Sequence, residues 1–288
     1  MASVRPARPH HRARRLAGLA LGLLLTPGAA IAAPPAVFDA HLHYTPQLAE
    51  AVPPETAART LAENRVQAAL VMAPDAQTIH ALQAAGEVRV VPFLAISQRL
   101  GRKMDWMHVE DLAEQVSEIL DAGEIDWQGI GELHIQADDR FAPAFAALLE
   151  LAVERDLTIM IHGDPAVIDH AYALQPEVRI LWAHAGSYAY PPLVNDYLER
   201  HPRLHMDVSM RNPRINPEGV IDAAWFELFL EHPERFLIGV DTFSAARWRE
   251  YGRLKGETRA WLKQLPEPVA RAIAFGNGER LFPPATRP

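Results

Sequence analysis

A (β/α)8 barrel is the fold that the 288-residue sequence predicts, and three observations predict it. Eight short apolar runs alternate along the chain with stretches whose apolar residues recur at helical spacing. No region of strands alone or helices alone interrupts that alternation after residue 33. Polar residues able to do chemistry stand at the ends of several runs, where the active sites of such barrels gather. The competing doubly wound sheet would place a glycine-rich phosphate loop after its first strand. That place holds His41-Leu42-His43-Tyr44-Thr45-Pro46 instead.

Taken in order, the chain opens with five arginines and no acid in residues 1–32, then the apolar run Leu16–Leu25. Pro27-Gly28 breaks any helix, and Ala30-Ile31-Ala32 offers small residues for cleavage. This is the pattern of a signal peptide over 1–32 that is removed on export, with the mature chain over 33–288. The apolar run of about ten residues is half of what a spanning helix needs. A periplasmic or secreted protein, free of the membrane after processing, is the expectation; Arg14-Arg15 leaves the export route open.

The eight predicted strands are Val37–His43, Val66–Met72, Val88–Ala95, Gly129–Ile135, Leu157–His162, Val178–His184, Leu204–Ser209 and Phe236–Asp241. Between them lie helical patterns such as Phe141–Arg155 and Val220–His232. The longest stretch without a clear pattern follows the third strand, from Ser97 to Met107, and reads either as a lid or as an exposed connector.

Composition narrows the chemistry. Hydrophobic residues make up 49% of the chain, enough for a substantial core, and there is no cysteine. Disulfides, a cysteine nucleophile and thiolate metal sites are therefore excluded, so any metal is held by histidine and carboxylate. Removal of the arginine-bearing segment takes the formal net charge from −8 to −13. So acidic a body lacks the basic face that nucleic acid or anionic lipid requires, and a small molecule is the expected substrate.

Side chains along a strand repeat every two residues, so Asp39, His41 and His43 are expected to share the inward face of the first strand. Glu132 stands near the end of the fourth run, His162 closes the fifth, His184 the sixth and Asp241 the eighth. Four histidines, a glutamate and an aspartate converging on one rim predict a divalent-metal site.

The motifs Phe38-Asp39-Ala40-His41-Leu42-His43, Gly131-Glu132, Ile161-His162, Ala183-His184-Ala185-Gly186 and Gly239-Val240-Asp241 resemble, in that order, those of the amidohydrolase superfamily. The end of the chain, Leu265 to Phe282 with its Gly276-Asn277 turn, resembles the superfamily's "amidohydrolase-related" branch. The resemblance spans nearly all of residues 36–283 and implies a metal-dependent hydrolase on a distorted (β/α)8 TIM barrel. It implies that His41, His43, His162, His184 and Asp241 are metal ligands, and that Glu132 takes the place of a group bridging two metals. Other members carry a carboxylated lysine there. The only lysines, Lys103, Lys255 and Lys263, lie outside the predicted strands, which leaves Glu132. The other reading of Glu132 is a carboxylate that orients a histidine in a one-metal site. Asp241 is the expected proton shuttle.

Around these, His134 shares the face of Glu132 and is a candidate substrate contact. Arg99, Arg211 and Arg247 follow strands three, seven and eight, where they could hold an anionic group of the substrate. Asp207 and Ser209 read mainly as core polar residues tying the barrel together. The function expected is hydrolysis of a C–N, C–O or P–O bond in a small molecule, with one or two zinc ions, although manganese or iron also fits these ligands. Two alternatives stand beside it: a one-metal decarboxylase or hydratase of the same superfamily, and a barrel that binds metal or ligand without catalysis.

Overall fold

The computed structural model describes Ala36–Pro284; the predicted signal peptide lies outside the described residues. Eight parallel strands run in the order β1 to β8: Val37–His43, Val66–Ala73, Arg89–Leu94, Gly129–Ile135, Thr158–Gly163, Arg179–Trp182, Leu204–Asp207 and Phe236–Leu237. Helices follow the strands and cover the outside, which makes a distorted (β/α)8 barrel. The ring closes between β1 and the chain beyond β8. There the Ala40 amide donates to the Ile238 carbonyl and the Asp241 amide to the His41 carbonyl, each at 2.8 Å. Among the described residues no helix is long and apolar enough to cross a membrane.

The first five predicted strands hold to within about a residue at each end, and the last three stop short of expectation. The β6–β7 ladder ends at Trp182↔Met206 and the β7–β8 ladder at Asp207↔Leu237. Beyond those points the chain opens into turns, and His184, Ser209 and Asp241 bond through side chains or to β1 instead of extending the sheet.

Alternation sorts the apolar residues into two layers. One set, including Ala69, Val71, Leu94, Ile159 and Ile180, packs under the helices. The other, including Phe38, Ala40, Leu70, Met72, Phe93, Met160 and Leu181, fills the barrel interior and packs with Phe282 of the C-terminal segment. Phe282 stacks on Phe38 and meets Phe93 edge-on, so the interior is plugged with aromatic rings beneath the polar rim.

Two strands break the alternation at the level of the rim. In β1 the pairing with β2 shifts between Asp39 and Leu42, so Ala40 and His41 both face inward. In β4 the pairing with β5 shifts between Ile130 and Leu133, and Glu132 turns inward directly after Gly131. Gly131 has φ +148° and a side chain there would run into Met160, so glycine is required.

The β1 shift corrects one expectation. Asp39 does not share the inward face with His41 and His43 but points the other way, fully buried. Its carboxylate accepts from Lys255 Nζ at 2.9 Å, the Tyr251 hydroxyl at 2.5 Å and the amides of His41 and Val240. A charge facing the helix layer is tolerable because every lone pair is met by a donor. Burial and the Asp39 charge push the Tyr251 phenol well above its ordinary pKa. Replacing Lys255 by Met strands the carboxylate, and a loss of about 3 kcal/mol in stability is expected by chemical denaturation. Unchanged stability would show that Tyr251 and the two amides suffice.

Candidate metal centre

The polar rim gathers side chains from six strands or their extensions. His41 Nε2 and His43 Nε2 lie 3.3 Å apart, and both face Asp241 Oδ1, at 3.5 and 3.4 Å. Glu132 stands across from them, with Oε2 3.8 Å from His41 Nε2, 3.5 Å from His43 Nε2 and 3.1 Å from His134 Nε2. Its other oxygen, Oε1, lies 2.8 Å from His162 Nδ1 and 3.2 Å from His184 Nε2. Glu132 thus belongs to two groups of three ligand atoms that lie within 4.8 Å of one another, one with His41 and His43, the other with His162 and His184.

Three further features hold these side chains. Asp207 receives His41 Nδ1 at 3.0 Å and the His184 amide at 3.1 Å on one oxygen, and the Ser209 amide at 2.7 Å on the other. Both of its oxygens are occupied, so it turns the His41 ring with Nε2 toward the cluster and anchors the backbone that carries His184. Ser209 Oγ sits 2.8 Å from His184 Nδ1 and 3.3 Å from His41 Nδ1. The Gln98 amide lies 2.9 Å from His43 Nδ1, and Thr242 Oγ1 accepts from the His43 amide while donating to its carbonyl. His184 and Asp241 adopt φ +59° and +61°, a left-handed backbone that is uncommon for such residues and collects at functional sites. Gly239 is needed beside them, because a Cβ there would meet the His41 side chain.

The electrostatics follow from this packing. Burial works against the His41 imidazolium, but the carboxylates of Asp207, Asp241 and Glu132 outweigh it and hold its pKa well above the usual histidine value. Burial alone would raise the Glu132 carboxyl, yet the His41 charge and hydrogen bonds from His134, His162 and His184 keep it well below the carboxylate range. Asp207 is depressed in the same way, burial being overcome by the His41 charge and hydrogen bond. The donor set fits a divalent ion: imidazole nitrogens and carboxylate oxygens converge, and buried Asp241 Oδ1 has no hydrogen-bond partner.

His41, His43, Glu132, His162, His184 and Asp241 are therefore brought together, and His134 joins them. The arginines are placed differently. Arg211 donates to the carbonyls of His184 and Gly186, and Arg247 to those of Val240 and Asp241, so each braces the backbone that carries a candidate ligand. Arg99 is exposed, donates to the Pro74 carbonyl, and lines a cavity of about 440 Å³ with Thr45, Gln47, Asp75 and Gln98. The segment after β3 is not a plain connector. It forms the helix Ile96–Leu100, and buried Trp106 donates to the His134 carbonyl at 2.8 Å. Sequence reasoning missed Gln98, Thr242 and the orienting role of Asp207 and Ser209. The period-two spacing of Asp207 and Ser209 in the seventh predicted strand was the available signal.

No protein-family model matches the chain, and no curated protein is detectably similar to it in sequence. Solved structures do match. An amidohydrolase from Burkholderia multivorans superposes with a TM-score of 0.55 at 11% identity, over 85% of this chain and 98% of that one. A mutant organophosphorus hydrolase from Deinococcus radiodurans gives 0.57 at 16% identity, over 88% and 95%. A structure assigned as a 2-pyrone-4,6-dicarboxylic acid hydrolase from Pseudomonas putida gives 0.59 at 13% identity, over 86% and 97%. Over most of its length the chain therefore shares the barrel fold of these three structures.

Proposed function

We propose that the chain is a metal-dependent hydrolase that cleaves a C–N, C–O or P–O bond in a small molecule. The observation that carries this reading is the division of the Glu132 carboxylate, one oxygen toward His41 and His43 and the other toward His162 and His184. In a two-ion site His41, His43 and Asp241 would hold one ion, His162 and His184 the other, with Glu132 between. Held by these residues, divalent ions, zinc being the default for this donor set, would supply a water acidic near neutral pH and a Lewis acid for the scissile bond. Asp241 takes the proton of the attacking water and passes it to the leaving group. His134, beside Glu132 and partly exposed, contacts the substrate, and Arg99 offers it a cation at the rim. The Asp207 carboxylate keeps the His41 ring turned to the centre, and the Ser209 hydroxyl does the same for His184. We also propose export, with a mature start near Ala33, which N-terminal sequencing of periplasmic protein checks.

The test is metal analysis of protein purified without added metal, paired with a panel of amides, lactones and phosphotriesters. The named substrates of the structural neighbours, an organophosphorus compound and a pyrone dicarboxylic acid, guide the choice of the last two classes. Near two equivalents of metal with hydrolysis is the expected result. One equivalent with decarboxylation of an acid would replace it with the one-metal reading, and absence of bound metal would overturn both.

His41 adds a pH signature. With its pKa held well above the ordinary value, His41 keeps its proton to higher pH than a free imidazole in the metal-free protein, and an ion bound at Nε2 would displace that proton. Uptake of metal at pH 7 is expected to release about one proton from this group, read by calorimetry in buffers of differing ionisation enthalpy. Affinity falls as pH drops, because protons then compete better. Binding without proton release at pH 7 is the contrary result.

A further inference from the structure

Ten large apolar residues are exposed among the described residues, and they are not scattered. Seven lie on loops that follow strands at the end where the polar cluster sits: Met104 after β3, Phe141 after β4, Tyr188 and Tyr190 after β6, Met210 and Val220 after β7, and Phe243 after β8. The other three fall within the last two residues of helices, which return the chain to the opposite end. All four exposed aromatic rings are on the cluster's side, with Tyr188 at 62%, Tyr190 at 60%, Phe141 at 64% and Phe243 at 56% exposure.

One of these side chains is tied to the centre through a named contact, and two others by their place in the chain. The Arg247 guanidinium that binds the Val240 and Asp241 carbonyls also lies over the Phe243 ring, 5.5 Å from its centroid. The ring is thus seated on a cation fixed to Asp241. Met210 directly follows Ser209, whose hydroxyl contacts His184 Nδ1, and its own φ is +63°. Tyr188 stands two residues beyond Gly186, whose carbonyl Arg211 holds. Five of the seven, Tyr188, Tyr190, Met210, Val220 and Phe243, follow β6, β7 and β8, three strands adjacent in the barrel, so they stand along one arc of the end that carries the polar cluster. Apolar surface gathered in one place marks a binding site, and a reactive centre beside it indicates a small molecule as the occupant.

We propose that the mouth of the barrel selects substrates in which the hydrolysable group carries an aromatic or other bulky apolar substituent, received by the rings of Tyr188, Tyr190 and Phe243. This rests on the metal-dependent reading of the centre. The hydrolysable group is held at the cluster while the substituent lies outward against the rim, where its burial supplies binding that the polar floor cannot.

Hydroxamates test this without turnover, since they chelate divalent ions and differ only in substituent. Zinc-loaded protein is titrated with acetohydroxamate and with benzohydroxamate, alongside the variant Tyr188→Ser/Phe243→Ser, whose altered side chains are exposed and leave the core intact. Benzohydroxamate is expected to bind about tenfold more tightly to the unaltered protein. In the variant that ratio falls at least about threefold while zinc content and acetohydroxamate affinity hold. A ratio that the substitutions leave unchanged overturns the proposal and leaves the metal reading standing. Failure of both hydroxamates to bind overturns the metal reading and this proposal with it. Sedimentation of the same samples adds a third outcome: a dimer that the double substitution dissociates assigns the rim to a second copy of the chain, and overturns the proposal.

Discussion

Asp241→Asn yields a folded protein with near-normal melting and a turnover number lower by about 10²–10⁴ on any substrate that the unaltered protein hydrolyses. The purely structural account of Asp241 is that it caps the helix that follows. That role belongs to Ser244, whose side chain accepts from the Arg247 amide at the start of Ala245–Arg249. The Asp241 backbone is secured independently, by its amide on the His41 carbonyl and its carbonyl on Arg247. What remains for the carboxylate is one oxygen facing His41 and His43 and another 3.9 Å from His184 Nε2. Asparagine keeps the shape and still offers an oxygen to an ion, but it cannot take a proton. Turnover within a few-fold of the unaltered protein would remove the proton-shuttle assignment, and with it the proposed mechanism.

Glu132→Gln is expected to go further, lowering both metal content and activity while the barrel stays folded. Four histidine side chains approach this carboxylate within 3.5 Å, and a neutral amide can accept from only part of that set. Even partners that merely orient a ligand cost about 10–100-fold in metal affinity when removed, and a shared ligand should cost at least the upper end of that range. The substitution also removes one of the three carboxylates that raise the His41 pKa, while Asp207 and Asp241 remain beside it. Metal analysis and circular dichroism on the same preparation read both sides of the expectation. Full retention of two ions would sink the bridging role of Glu132.

Much of this was legible in the sequence, because a barrel strand ends where its apolar run ends. His162, His184 and Asp241 could be placed at the rim by that rule, and the structure puts them there. Period-two counting failed at Asp39. A strand that places two successive residues inward looks, in sequence, like one that does not, and the buried partner that makes the outward carboxylate tolerable is Lys255, 216 residues away. Asp207 was visible as a buried polar residue, but its partner was not, since a pairing across 166 residues leaves no local pattern. Gln98 was lost for a different reason. Its helix Ile96–Leu100 spans five residues, too short for a periodic signal, and an uncharged amide carries no chemical flag of its own.

The steps at Ala40–His41 and Gly131–Glu132 make the two halves of the barrel separately editable. Below them, Phe38, Phe93 and Phe282 pack by volume and ring contact, and a size-conserving exchange among such residues usually costs less than about 1.5 kcal/mol. Above them, position is set by donors fixed to particular atoms, where a shift of a single residue moves a ligand by roughly 3.3 Å along the strand. Deleting Ala40 would restore strict alternation in β1, keep both histidines inward, and lower them by that one step toward the plug. An alignment that slides a gap across Ala40 would therefore pair residues of equal facing but unequal height.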